Sequence, residues 1–508
     1  MNAKHRACMN RKIIIVAAAL CIALPLSSQN FERTLGRNLW NDGSNITGIR
    51  QDSVSVAYAE LAGSYTSGGF RGFSDAVDGW SALASTAAIR HLEKFSLAGS
   101  FSFAQIRGNS MCGSMFTEPW KYPFDVMEFT PGVKTRQSYS FSGGIGVDLT
   151  DCWRVGAAMD FESQNYSKRK DLRYESYALD MEVRPALMYH SGNLSVGLNY
   201  VFRKSSEAPK AEQIGTTVAY YEAFLDKGLF YGVDQIWDGS GVHLKEEGVA
   251  GFPVSELSNG VALQVGWKNL YADFEFSSRS GKAGEKQFVW CRFPGYGLRG
   301  RLSWKHDSGY GIHYLRLSAA YLNQDNNETV LEKISEGGVT TITEHGYNRL
   351  FTRRAGDMAL RYELVAPLWS LRATAGASGT ESLSCAMYPF LNWRRETVPF
   401  AALGGEFRPG RFELRLDASV RKGFVSENGS QVSQVSGVVG EPYRNSDIMA
   451  WQDEYGNALR SEIVFALRYA FKSALYVQLD TDWAHAFDLK TIDGSDRTVA
   501  GIRIGYEF

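Results

Sequence analysis

The end of the chain restricts the fold most. Counting back from Phe508, one side of an extended segment carries Phe508, Tyr506, Ile504, Ile502 and Ala500, and the other carries Glu507, Gly505, Arg503 and Gly501. Strict alternation with period two is the mark of a strand that has one apolar and one polar face. The same pattern recurs along the chain. Trp153, Val155, Ala157, Met159 and Phe161 interleave with Arg154, Gly156, Ala158, Asp160 and Glu162, and Phe412, Leu414, Leu416, Ala418 and Val420 with Glu413, Arg415, Asp417, Ser419 and Arg421. Segments near Tyr177–Val183, Leu194–Phe202 and Ile463–Phe471 read alike.

A soluble sandwich also alternates, so the choice of membrane rests on three further features. First, residues 1–28 have the parts of a secretory signal peptide: basic Lys4, Arg6, Arg11 and Lys12, an apolar run from Ile13 to Leu26, and small Ser27 and Ser28, so that Gln29 is the expected first mature residue. The run is shorter than the roughly 20 residues of a spanning helix, and Leu20 before Cys21 is a poor setting for lipid attachment. Second, although 44% of the chain is hydrophobic, no window after residue 28 is apolar enough to cross a bilayer as a helix. A closed barrel is the other way to satisfy every backbone group in lipid. Third, the connections alternate in length. Tight links fall at Leu92–Glu93, Thr150–Asp151, His190–Asn193, Lys268–Asn269, Asp307–Gly309, Arg408–Gly410 and Lys472–Ser473, and long polar stretches at Gly108–Thr135, Ser206–Glu256, Gln324–Arg349 and Gly423–Ala458. Short periplasmic turns and long outer loops are the barrel habit.

The expected fold is therefore all-β: a single transmembrane antiparallel β-barrel of about 18 strands (16–18), with residues 29–50 as a short periplasmic lead-in and 51–508 as the barrel. Trp153, Tyr189, Trp267, Trp304 and Trp369 on the turn side, and Tyr166, Tyr321 and Trp483 nearer the loops, suit interface girdles. Pro185 and Pro294 are expected at bulges or strand ends, because proline donates nothing to a ladder. Ile504, Tyr506 and Phe508 fall where the outer-membrane assembly machinery reads its clients, so that machinery and outer-membrane lipid are the expected partners.

Removing the signal peptide leaves 50 basic against 55 acidic residues and no basic patch, so nucleic acid is not an expected partner. Of six cysteines, Cys112, Cys152, Cys291 and Cys385 are mature. Their spacing is not that of a metal site. Cys112, Cys291 and Cys385 map towards the outer side, where export permits a disulfide; spacing chooses no pair, and free thiols fit equally well. No cofactor is expected.

The signal peptide, the segment Asn38-Leu39-Trp40-Asn41-Asp42-Gly43 and the aromatic barrel end resemble an uncharacterised outer-membrane β-barrel family of Gram-negative anaerobes, a domain of unknown function. The resemblance implies location and fold, and transfers no functional residue. The lead-in Gln29–Arg50 is far too short for the plug domain of an energised, TonB-type receptor, which leaves an unplugged or loop-plugged barrel.

If the apolar rows face lipid, the other rows line the lumen. They place Asp160, Glu162, Asp180, Glu182, Asp273 and Glu275 on earlier strands, and Arg299, Arg301, Arg316, Arg361 and Arg372 farther along. Opposed acidic and basic walls would set up a transverse field that sorts charged solutes; the alternative is that these charges pair across a packed lumen. The loop Ser206–Glu256 is long and aromatic, with Tyr220, Tyr221, Phe224, Phe230, Tyr231 and Trp237, and its Val218–Leu225 part suits a helical turn. It could narrow the pore, meet a partner lipoprotein or pack on itself. Catalysis is not expected: no Ser sits in a Gly-x-Ser-x-Gly elbow, and alternation puts His485 and Asp482 on opposite faces. Two functions remain. One is a channel or partner-assisted conduit for small polar or charged solutes; the other is a plugged barrel that binds a surface lipoprotein or glycan.

Overall fold

The computed structural model describes residues 31–508 except 37, 171, 212–220, 238–250, 286–287, 338, 386–389 and 432–442. The expected signal peptide lies outside the described residues. The chain is a closed, antiparallel 18-strand barrel. It runs through β1 (Val56–Ser67), β2 (Asp78–His91), β3 (Phe95–Ser114), β4 (Asp125–Asp148), β5 (Trp153–Lys168), β6 (Tyr174–Ser191) and β7 (Leu194–Ala211). A separate hairpin, β8 (Tyr221–Asp226) and β9 (Gly232–Trp237), precedes β10 (Val254–Trp267), β11 (Leu270–Glu285), β12 (Phe288–Asp307) and β13 (Ile312–Glu336). The wall continues with β14 (Val339–Val365), β15 (Trp369–Ser384), β16 (Leu391–Phe407), a strand broken into β17 (Phe412–Arg421) and β18 (Phe424–Gln431), then β19 (Arg460–Ala470), β20 (Leu475–Ala486) and β21 (Asp496–Glu507).

Each wall strand pairs with its neighbours in sequence, and β10 takes its place beside β7 because the hairpin stands out of the wall. The ring closes where β1 meets β21, from Tyr58 opposite Glu507 to Ser67 opposite Thr498. Ala57 and Phe508 exchange backbone hydrogen bonds of 2.7 and 2.9 Å at that seam. Closure removes the edges that lipid could not satisfy. The outward rows are apolar and exposed, including Leu61, Phe141, Leu198, Phe274, Leu360, Leu416, Phe465 and Ile504. Among the described residues no helix is long and apolar enough to cross a membrane.

Strands turn tightly at all seven expected links, and at an eighth, Ala366–Leu368, that the sequence reading missed. The supposed loop Gln324–Arg349 is instead a ribbon in which β13 and β14 stay paired, through register shifts at Asn326/Asn327 and Val330/Leu331, as far as Glu336 and Val339. Its polar, β-branched residues form strands with no lipid face to keep, so the membrane alternation vanishes while the pairing does not. Pro185 and Pro294 sit inside strands rather than at their ends. Each faces a position where pairing with one neighbour lapses: Arg184 and Pro185 have no partner on β7, and Phe293 and Pro294 none on β13. The missing proline donor falls where it is not needed.

Candidate functional site: the lumen

At the turn end, the lead-in does not hang in the periplasm but crosses the lumen. Phe31 packs on Tyr58 of β1, with ring centroids 5.0 Å apart. The carbonyl of Gly36 accepts from Arg316 Nη2 of β13 at 3.3 Å. Two short 3-10 turns follow, Leu39–Asp42 and Ile46–Gln51, each begun by an asparagine, Asn38 or Asn45, whose side chain accepts from the backbone N–H two residues on. This is ordinary capping chemistry. Trp40 then lies buried against the wall, its ring 5.0 Å from that of Tyr271. Gly197 and Gly266 make room for it: a Cβ on Gly266 would fall 2.7 Å from Trp40 Nε1, and one on Gly197 2.6 Å from Asn45 Nδ2.

The polar side of the same segment is tied to the wall by a buried network. Ser44 N donates to Asp273 Oδ2 at 3.0 Å, Asn45 Nδ2 to Gln264 Oε1 at 3.1 Å, and Gln264 Nε2 to Asn199 Oδ1 at 2.7 Å and to Asp273 Oδ1 at 3.1 Å. Arg50 finishes the crossing by pairing with Asp148 and donating to the carbonyls of Leu92 and Glu93. The lead-in therefore acts as a small stopper. Asp273, read as a lumen charge, is its anchor.

At the loop end, the segment between β3 and β4 folds inward. Lys121 Nζ reaches Asp180 Oδ2 of β6 at 2.9 Å, while Arg353 of β14 donates to the carbonyl of Trp120 at 3.0 Å. Thr117 N donates to Glu207 of β7 at 2.6 Å. Held at β6, β7 and β14, the segment bars the lumen. Behind it Phe116, Tyr122, Phe124, Phe252 and Phe293 form an aromatic core, with Tyr122 and Phe124 stacked at 5.7 Å. Burying several rings, each worth 150–250 Å² of surface, gives this cap a hydrophobic core of its own.

The hairpin β8–β9 braces the bar from outside. Asp125–Met127 of β4 pairs with Phe224–Asp226 of β8, so that Asp125 and Asp226 stand opposite each other. Burial raises the Asp125 carboxyl to about 7, despite donors at Ser114 and Trp120 N, and the Asp226 carboxyl to about 6. Trp120, Leu229 and Phe230 hold left-handed backbone at φ 54°, 54° and 62°, which is strained for large side chains. Trp120 and Phe230 meet edge to face at 5.9 Å, so packing between the two loops holds that strain. The expected helical turn at Val218–Leu225 is a strand from Tyr221 onward, and the rest lies outside the described residues. Phe224 is wholly buried. Tyr221 and Trp237 are backbone partners across the hairpin; their side chains and all of Tyr220 lie outside the described structure.

Between stopper and bar lies a cavity of about 740 Å³ lined by β4 to β15. Asp160, Glu162, Asp180 and Glu182 face it, as does Arg299. The walls are not opposed by sign, because arginines stand among the acids. Arg184 bonds Asp160 at 2.5 Å and Glu182 at 2.6 Å, and Arg203 pairs with Glu182 and, at 2.7 Å, with Glu275. Acids likewise stand among the arginines: Glu363 pairs with Arg316 and Arg361 at 3.1 Å each, and Asp417 with Arg372 at 2.7 Å. The sequence reading leaves Glu363 aside and, although Arg184, Arg203 and Asp417 fall on polar rows, does not count them among the lumen charges. Neutralisation between neighbouring strands answers most of the charge. Among the described residues, Glu162, Arg299 and Arg301 have no ion-pair partner.

A second cavity of about 610 Å³ opens beside the stopper at the turn end, lined by Arg316, Arg361, Arg372, Glu363, Glu406 and Arg408 among others. On β13 to β15 the inward positions between the two cavities are Ser318, Ala359, Thr374 and Gly376. These are small residues. On this side the lumen wall is unobstructed by side-chain bulk.

Cys112, Cys152, Cys291 and Cys385 are all free. Among the described residues no group of His, Cys, Asp and Glu could hold a metal. His485 Nδ1 bonds Asp496 Oδ1 at 2.9 Å at the outer rim and is not with Asp482. Tyr506 and Phe508 are ring neighbours at 5.3 Å on the closing strand beside exposed Ile504.

A family model described as "Family of unknown function (DUF6850)" matches residues 46–508. No curated protein sequence matches the chain. Among solved structures, "Copper transporter OprC" aligns over 90% of this chain and 80% of its own at 8% identity and a TM-score of 0.40. The ferric preacinetobactin receptor BauA from Acinetobacter baumannii aligns over 89% and 80% at 10% identity and 0.38, and OccAB4 from the same organism over 90% and 99% at 10% and 0.35. At these identities the likeness concerns the barrel fold alone.

Proposed function

The chain belongs to the DUF6850 family of unknown function, and we propose that its barrel is a gated conduit for small polar or charged solutes across the outer membrane. The observation that supports this reading is the pair of obstructions: two different chain segments cross an 18-strand lumen at either end of a charged cavity. A wall of this size encloses more space than its own side chains fill. A purely structural barrel would have no reason to keep a polar chamber, whereas a conduit at rest needs closure without loss of the lumen. Ile504, Tyr506 and Phe508 serve in this reading as the assembly signal.

Solute uptake into vesicles carrying the reconstituted protein tests it. Shortening Met115–Phe124 to a few glycines and serines and removing residues 31–50 should turn slow uptake of small charged solutes into fast uptake. Equal impermeability of both forms, with folding confirmed, would overturn the reading.

A second reading has its own observation. Thr329–Glu336 and Val339–Tyr347 pair only with each other, because pairing with β12 stops at Glu328 and pairing with β15 at Phe351. This free ribbon exposes Val330, Ile334 and Tyr347. Open edges are templates for a further strand. In this reading a surface lipoprotein or glycan binds there, and removal of the ribbon abolishes capture while leaving solute uptake unchanged.

A further inference from the structure

The charges in the central cavity divide into those that answer one another and those that do not. Lys121 is engaged by Asp180, Arg184 by Asp160 and Glu182, Arg203 by Glu182 and Glu275, and Arg279 by Glu256. Three charged residues on inward rows that line the same cavity have no hydrogen-bond or ion-pair partner among the described residues: Glu162, Asp357 and Arg299; Lys204, also at its border, belongs to the exposed outward row of β7. Their placement is specific. Arg299 of β12 and Asp357 of β14 are both register partners of Ala320 on the strand between them. With neighbouring strands about 4.8 Å apart, their backbones stand about 10 Å from each other across a single methyl group. Gly297, Ala355 and Ser378 keep the surrounding wall low. Glu162 faces the cavity from β5, between Ser140 and Asp180 in register, seven wall strands away from β14.

A ligand that answered all three would carry an anion for Arg299, a cation for Asp357 close by, and a second cation directed at Glu162 on the far wall. We infer that the central cavity is a binding chamber for small zwitterions with an excess of positive charge, of the size and chemistry of a basic amino acid or a short basic peptide. The volume suits it: about 740 Å³ lies within the usual range for ligand pockets and exceeds what one amino acid needs. A dianion would meet one free cation against two free carboxylates. A neutral sugar would leave all three charges unanswered. Charge-assisted hydrogen bonds are the stronger kind, so the unanswered groups are the ones that choose the solute. This inference rests on the conduit reading for its purpose, since it names what the conduit would select.

Calorimetric titration of the full-length protein, folded in detergent, with four probes tests it: lysyl-alanine, putrescine, succinate and maltose. Lysyl-alanine should bind at least about tenfold more tightly than succinate or maltose. Arg299→Gln should weaken lysyl-alanine by about tenfold, the size of one charged contact, while putrescine stays within about twofold. Asp357→Asn and Glu162→Gln should weaken both. Heat-modifiable gel mobility identifies a variant that fails to fold, and Arg299→Lys, which keeps the charge, should restore most of the affinity. Tighter binding of succinate or maltose, no binding of any probe, or an Arg299→Gln variant indistinguishable from the parent would overturn the inference. Binding with the expected preference but no uptake into vesicles would retire the conduit and leave the site; uptake without the preference would do the reverse.

Discussion

Replacing Trp40 by alanine should loosen the stopper at the turn end without opening the barrel wall. Trp40 is 7% exposed, wedged between the glycine-lined wall at Gly197 and Gly266 and the ring of Tyr271. Truncating a buried tryptophan to alanine typically costs roughly 3–5 kcal/mol. The cost falls on the docking of residues 38–51 and not on the wall, whose strands pair independently of that segment. Taken at about 3 kcal/mol, with about 1.4 kcal/mol to each factor of ten, the population of the undocked segment rises on the order of a hundredfold. Amide exchange reads this directly. The N–H groups of Gly43, Thr47 and Gly48 bond only within the segment, to Trp40 O, Asn45 Oδ1 and Asn45 O. They should exchange on the order of a hundredfold faster, while amides of β10 and β11 keep their protection. Unchanged exchange at Gly48 would show that Trp40 does not hold the stopper.

Other consequences follow from the same geometry. Gly266→Leu places side-chain atoms where the indole lies and should expose the same amides without touching Trp40, so parental protection at Gly48 would contradict the slot. The joint between β4 and β8 should tighten in acid. Burial raises the carboxyls of Asp125 and Asp226 to about 7 and 6, against roughly 3.9 in an open chain, so the closed joint binds protons more strongly; its stability is complete at low pH and lost as pH rises through 6 to 7. Protease should therefore cut the outer loops faster at pH 8 than at pH 5, Asp125→Asn should remove most of that difference, and a flat profile in the parent would refute it. Leu61→Arg on the lipid face should cost about 2–4 kcal/mol of refolding stability at mid-membrane, whereas Ser64→Arg on the inner face should cost far less; equal losses would mean that the faces are misassigned.

What the sequence made legible was whatever period two controls. Rows such as Ile504, Tyr506 and Phe508 announce their own lipid face, and turns such as Lys268–Asn269 interrupt them with recognisable turn residues. The eighth turn, Ala366-Pro367-Leu368, hides because its flanks are apolar and only the proline marks it. Inside the lumen the period says which residues point inward but not which of them meet. Arg184 lies two residues beyond Glu182 on the same row, and its pairing with Asp160 needs the register between β5 and β6, which alternation does not supply. The bar across the lumen did leave a signal. Met115, Phe116, Trp120, Tyr122 and Phe124 are too apolar for a loop in water, and reading Gly108–Thr135 as polar passed over them. The aromatic loop Ser206–Glu256 carries the more conspicuous signal, and its Phe224 braces the bar from behind at Met127. The stopper was hidden by its brevity. A segment of this length forms no domain, yet its two asparagine caps and one tryptophan suffice once a wall of glycines receives them.

Single-channel conductance in a planar bilayer tests the gated conduit most directly. Three forms should be compared: the parent, a variant with Met115–Phe124 shortened, and one that also lacks residues 31–50. The parent should be closed or nearly so, the first variant should show brief openings, and the second should show steady currents of a wide, water-filled pore. Silence in all three forms, each confirmed as folded by heat-modifiable mobility, would contradict the account, and the free ribbon of β13 and β14 would become the place to look for function.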